Sequence, residues 1–413
     1  MNTRPSSVLT LYLLLLFPGF FMFHVAHSLG YVPYFGWFGG LLVLGIAFLY
    51  GRGVYRVVVN GRRISTVHAS ISIPVQMFFF YVLAVTAVMH VFSGYDYVNM
   101  EGLVWNLTNL ILLLGFYLLG RNLNVKMGGL LTVLLLCAYL GYMYFTFQFY
   151  SSLNGTIILP VETESAADST ASYQSMAMCV LYTAIALCPF VRSRFLKSTL
   201  LLMSVAILYF IGSRTEFFLL CLVAPVFIYI NFGMRGAIGL ALLALPVVIY
   251  LAATLEVNER FAGIFEELGS GSSRTELMLA GMKGIFDNPI FGDYLGQVRE
   301  HGNVGAYIHN GLSVYQQFGL VGFLLYMYLI VCSLIIGLLY LSQAKQYPQL
   351  EALVYASIIS LVGVLISKSI GWPLPALAWG LACSVMLTMR AAKQSQAANE
   401  TTPEPVAGVH YSA

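Results

Sequence analysis

The sequence predicts an all-α polytopic membrane protein of about 12 transmembrane helices, with one long external loop containing short amphipathic helices. Three observations carry that expectation. First, 59% of the 413 residues are hydrophobic and only 9% are charged, with mean hydropathy +0.82. A soluble domain carries about 25% charged residues, so this chain has too few to cover a water-facing surface. Second, apolar runs of the length a helix needs to cross a bilayer, about 20 residues, recur along the chain. Third, the positive charges fall on one side of those runs when the connections between them alternate.

The runs lie near residues 8–29, 35–51, 71–92, 103–120, 127–149, 173–191, 198–212, 216–232, 236–254, 311–340, 352–371 and 374–389. Those at 35–51, 198–212 and 374–389 are short. The first follows Arg4 and resembles a signal peptide, but it is long and no small-residue cleavage site follows, so it reads as an uncleaved span. Residues 1–393 form a single transmembrane domain whose longest hydrophilic stretch is 255–310. The tail 394–413 is polar, contains Pro403 and Pro405, and reads as disordered.

Fourteen of the 20 Lys and Arg collect on one side: Arg4, Arg52, Arg56, Arg62, Arg63, Arg121, Lys126, Arg192, Arg194, Lys197, Arg235, Lys345, Arg390 and Lys393. Only three of the 17 acids, Glu351, Glu400 and Glu404, accompany them. Positive residues stay cytoplasmic, so both termini are expected there, and the acidic loops 93–102 and 150–172 are expected outside. The net charge of +3, with no basic tract, excludes a nucleic-acid partner. No Gly-rich phosphate loop is present, so an ATP-driven pump is not supported. The six cysteines all sit in apolar runs without metal-ligand spacing and read as core-packing thiols.

Six basic residues break the pattern by falling outside: Arg214, Arg260, Arg274, Lys283, Arg299 and Lys368. For Arg260, Lys283 and Lys368 the preferred reading is pairing with the acids of the long loop. Arg214 and Arg274 differ, because each occupies the same tetrapeptide, Ser213-Arg214-Thr215-Glu216 and Ser273-Arg274-Thr275-Glu276. Ser-x-x-Glu is a capping box that marks a helix start. An arginine on a first helical turn opposes the macrodipole, whereas the free N–H groups there attract anions. Guanidinium binds phosphate oxygens bidentately, so the repeated motif points to a phosphate or diphosphate. The competing reading is pairing with the adjacent glutamate. His309-Asn310 then closes the loop that carries Arg274, where a neutral imidazole can take a proton from a hydroxyl. His301 competes for that role, since spacing does not separate the two.

Taken in order, Gly212-Ser213-Arg214-Thr215, Ser273-Arg274, Asn288-Pro289-Ile290-Phe291-Gly292, His309-Asn310 and Gly319-Leu320-Val321-Gly322 resemble the O-antigen polymerase and O-antigen ligase superfamily of bacterial surface-polysaccharide enzymes. The resemblance covers roughly 110 residues. Asp293-Tyr294-Leu295-Gly296 departs from it, where a second glycine is expected sooner after Gly292. The resemblance implies a bacterial inner-membrane glycosyltransferase acting at the periplasmic face, inverting, metal-independent and without a cofactor. It would polymerise oligosaccharide repeat units carried on undecaprenyl diphosphate, as both donor and acceptor. Carried onto this chain, His309 would activate the acceptor hydroxyl, Arg214 and Arg274 would hold the diphosphate, and Asn310 and Arg299 would support them. Membrane lipids, a chain-length regulator and a flippase would be its partners. The alternatives are an O-antigen ligase, which transfers the polysaccharide to lipid A core, and a lipid-linked sugar transporter or flippase. The spacing from His309-Asn310 to Gly319 favours the polymerase. A transporter would place charges deep within its spans, and the span interiors read as almost charge-free.

Overall fold

The computed structural model describes residues 6–33, 36–58, 69–93, 97–151, 156–157, 173–254, 273–302 and 308–400. Arg260, most of the acidic loop 150–172, and the tail from 401 onward lie outside the described residues. The helices are α1 Ser7–Leu16, α2 Pro18–Ser28, α3 Trp37–Val58, α4 Ala69–Ser93, α5 Tyr97–Asn122, α6 Gly129–Phe149 and α7 Tyr173–Ala186. They continue as α8 Arg194–Ile211, α9 Arg214–Thr254, α10 Ser273–Asp287, α11 Gly296–His301, α12 Leu312–Leu339, α13 Pro348–Ile366 and α14 Leu374–Glu400. A two-residue strand pair, Tyr150–Ser151 against Thr156–Ile157, is the only sheet among the described residues.

Among those residues, nine helical stretches are long and apolar enough to cross a membrane, the first made by α1 and α2 together, and the apolar stretches 37–51 and 174–190 are shorter. The chain is a predominantly helical, multi-pass membrane protein. Its outer surface is apolar, as a lipid solvent requires: Phe80, Phe92, Phe195, Leu202 and Leu339 are each 70% exposed or more. The core is aromatic, with Phe78, Tyr326 and Trp379 from three helices meeting at centroid distances of 5.5–5.7 Å.

Several boundaries differ from the sequence expectation. The first run breaks at Phe17 before Pro18, which cannot donate into the preceding turn, giving α1 and α2. Both pack into the bundle through Phe17 and Phe21, which touch Tyr182 and Tyr142. The short run at 198–212 is extended to Arg194 because the Ser193 hydroxyl caps the helix, accepting from Leu196 N at 3.3 Å. The last helix runs to Glu400 rather than ending before a disordered tail, since Ala, Lys, Gln and Glu dominate its final turns and favour helix. Runs 216–232 and 236–254 are two arms of α9 meeting at Gly233, whose φ of 75° only glycine adopts freely.

Three of the six cysteines, Cys179, Cys188 and Cys383, are buried as expected, while Cys137 faces outward. Burial is not confined to apolar residues, and two charges are buried between helix starts at one end of the bundle. Lys197 and Glu351, sorted from sequence with the loop charges, are 8% and 2% exposed and paired at 2.6 Å. The other Glu351 oxygen accepts from Asn231 Nδ2 at 3.0 Å and from the Tyr355 hydroxyl at 2.8 Å.

Two ends of the bundle are defined by such contacts. At one, Ser6 N donates to Asn124 O, and Asn124, Lys126, Arg192 and Pro348 line a cleft of about 250 Å³. At the other, the starts of α9 and α12 meet the corner between α13 and α14. Helix α14 leaves that corner alongside α5, with Gly371 against Asn109 and Gly380 against Tyr117 O, so it runs toward the end where Ser6 lies.

Candidate functional site

At the second end, three chain segments are knitted together by short polar contacts. Gly311 N donates to Val364 O at 2.7 Å, which seats the start of α12 on the end of α13. Ile370 N donates to Ser313 Oγ at 3.1 Å, and the Ser367 hydroxyl lies 3.4 Å from Thr215 Oγ1 on the first turn of α9. The corner 367–373 packs against Asn109, midway along α5, rather than against the end of that helix. Trp372 is held there because Gly363 leaves room for its ring.

These segments enclose a cavity of about 460 Å³, whose wall includes His309, Thr215, Lys368, Trp105, Asn109 and Trp372. The structure therefore brings His309 together with the Ser213-Arg214-Thr215-Glu216 tetrapeptide. His301 is exposed at the end of α11 and is not part of the wall. Asn310 shapes the approach: its Oδ1 accepts from Leu312 N at 2.9 Å and so caps the start of α12.

The tetrapeptide itself behaves partly as expected. Ser213 precedes the helix and Arg214 lies on its first turn. The Ser213 hydroxyl, however, donates to the Glu216 carboxylate, and the second Glu216 oxygen accepts from Lys368 Nζ. Lys368 thus pairs with Glu216 and not with an acid of the long loop, which corrects its assignment. Glu216 is 1% exposed, and Thr215 is the tetrapeptide residue that lines the cavity. Arg274 sits on the first turn of α10 as the second tetrapeptide predicts, but its side chain lies outside what is described.

Arg299 is occupied elsewhere. Its guanidinium donates to Tyr294 O at 2.6 Å and to Asp293 Oδ1 at 3.0 Å, and it does not line the cavity. Burial pushes the Asp293 carboxyl above its ordinary pKa, with the Arg299 charge pulling it back down. A Cβ on Gly296 would overlap the Asp293 carboxylate, so the unexpected spacing Asp293-Tyr294-Leu295-Gly296 is a turn folded around that side chain. Tyr294 is the turn's anchor, buried against Phe318 and accepting from Asn106 Nδ2 at 2.9 Å.

Lys368, Asn109, Trp105 and Trp372 are site residues that sequence reasoning did not identify. For Lys368 a signal existed, because it falls inside the apolar run 352–371, where a charge marks a functional position. The others are single polar or aromatic residues in apolar helices, and only packing shows that they share a wall. Among the described residues no three His, Cys, Asp or Glu side chains converge as a metal site would need. The fold and cavity define a multi-pass helical membrane protein with a cavity lined by both apolar and polar side chains. No family model, curated protein or solved structure matches the chain.

Proposed function

We propose that the chain is a glycosyltransferase of the O-antigen polymerase type, joining undecaprenyl diphosphate-linked repeat units at the periplasmic face of a bacterial inner membrane. The single observation that carries this reading is the cavity whose wall combines His309 with Thr215 of the arginine-bearing tetrapeptide. His309 takes the proton of the acceptor hydroxyl, whose oxygen forms a bond to the anomeric carbon from the face opposite the leaving group. The bond from that carbon to the diphosphate oxygen breaks, and its electron pair leaves with undecaprenyl diphosphate. Arg214 and Arg274 neutralise the charge that develops on the departing diphosphate, the task a preorganised donor performs best in a water-poor chamber. A ligase would use the same donor chemistry with a lipid A core acceptor, and the spacing from His309-Asn310 to Gly319 favours the polymerase.

A second reading is a carrier for the same lipid-linked sugar. The buried Lys368–Glu216 pair at the cavity favours it, since charges inside a helical bundle commonly mark translocation routes. One assay separates the two: purified protein with lipid-linked repeat units and EDTA, without nucleotide, scored for new glycosidic bonds. The wild type should form them, and His309→Ala should lose roughly a hundredfold or more of the rate while lipid-linked substrate still binds. His301→Ala and His90→Ala should remain active. Full activity of His309→Ala sinks the enzyme reading in this form. Lipid-sugar flipping by the wild type without bond formation would establish the carrier instead.

A further inference from the structure

The wall of the cavity contains one Lys or Arg among the described residues, Lys368, and Arg214 is not part of it. Its surroundings are unusual for a structural ion pair. Both Glu216 oxygens have partners: one meets Lys368 Nζ and the other receives the Ser213 hydroxyl. Lys368 is less fully engaged. An ammonium carries three N–H donors, and Glu216 takes one of them. The side chain keeps 17% of its surface open against 2% for Glu216, so the ammonium is the accessible member of the pair. Its Nζ stands 5.6 Å from the centre of the Trp372 ring, an aromatic face that stabilises the cation without using a donor. Hydroxyl groups of Thr215, Ser367 and Ser369 line the same chamber.

A buried ion pair contributes little net stability, because desolvation offsets most of the attraction. A pair retained at the wall of a cavity, with the base open and the acid closed, is instead suited to exchange. An anion entering the chamber can take up the two remaining Lys368 donors while Glu216 holds the ammonium in place. We infer that Lys368 is an anion-binding residue that holds a phosphate group inside the cavity, with Glu216 as its positioning partner. The inference depends on the proposed function only for the identity of the phosphate bearer, which would be the diphosphate of the lipid-linked sugar. Inorganic pyrophosphate and the headgroup of an anionic phospholipid carry the same chemistry and serve as the other arms of the test.

The experiment measures binding of polyprenyl diphosphate, inorganic pyrophosphate and phosphatidylglycerol to the full-length protein in neutral-lipid nanodiscs. Lys368→Met should weaken binding of the polyprenyl diphosphate at least about tenfold, as loss of a charged hydrogen bond does. Glu216→Gln should weaken binding less than Lys368→Met does, because the amide oxygen still accepts from the ammonium and holds it in place. The double variant Lys368→Met/Glu216→Gln leaves no unpaired buried charge, so it guards against simple misfolding, and it should bind as weakly as Lys368→Met. A purely structural pair gives the opposite pattern: Glu216→Gln as damaging as Lys368→Met, or a double variant that folds and binds like the wild type. Either result overturns the inference. Weakening for phosphatidylglycerol alone would support the phosphate site and overturn the diphosphate as its bearer, making the contact a lipid headgroup site. Lysine-dependent diphosphate binding in a protein that forms no glycosidic bonds would sink the proposed enzyme and leave this site standing. Normal rate and KM in the double variant would do the reverse.

Discussion

Gly292 and Gly319 press together backbone to backbone, each with a positive φ, at 80° and 62°. A Cβ on Gly292 would strike Gly319 N and Gln316 O, and a Cβ on Gly319 would overlap the Ile290 carbonyl. Gly319 kinks α12, and the polar groups freed by the kink find partners. Leu320 N donates to Pro289 O and Ile290 O at 3.2 Å, and the Phe318 carbonyl accepts from the Tyr81 hydroxyl at 2.8 Å. The loop segment Asn288-Pro289-Ile290-Phe291-Gly292 is thereby locked onto the helix that His309 precedes.

Gly292→Ala and Gly319→Ala should each destabilise the protein by about 2–4 kcal/mol, combining left-handed strain with a backbone collision. Gly128→Ala, where nothing lies within 4 Å, should be nearly silent. Thermal unfolding in detergent measures the difference. Equal melting temperatures for all three variants would contradict the docking of this loop.

Arg214→Lys and Arg274→Lys keep the charge but lose the planar fork that grips a diphosphate. Each should cost about a hundredfold in bond formation at normal protein level. Arg260→Lys should change little. Normal chain synthesis by both lysine variants would rule out the diphosphate role for these arginines.

Breaking the buried pair at the opposite end should damage the fold rather than the chemistry. Glu351→Ala leaves Lys197 charged and unpartnered and should cost about 3–5 kcal/mol of stability. Lys197→Met combined with Glu351→Leu should recover most of that loss. A double variant no more stable than Glu351→Ala alone would show that Asn231 and Tyr355, not the charge balance, decide the site.

The orientation is checked by single cysteines at Asn60 and Ser165 in a background lacking the native six. Ser165 should react with an impermeant thiol reagent in intact spheroplasts, and Asn60 only after lysis. Labelling of both from outside would reverse or break the assignment of sides.

The helical, membrane-embedded architecture was legible in the sequence because its signals are local. Run length and composition report on lipid contact at each segment, whatever the neighbours do. The tetrapeptide Ser213-Arg214-Thr215-Glu216 likewise announced the start of α9, since capping depends on residues three positions apart. The glycines at 292 and 319 stood out in the chain, but their mutual contact did not, because nothing in either segment encodes the other's position. Packing alone decided that His309 and not His301 shares a cavity wall with Thr215 of the tetrapeptide, and that Glu216 pairs with Lys368, 152 residues away. It also decided that Lys197 and Glu351, which sort by sign as loop charges, are buried against each other. Charge partners are chosen by distance in a medium of low dielectric, and distance between remote residues is a property of the folded bundle, not of the chain.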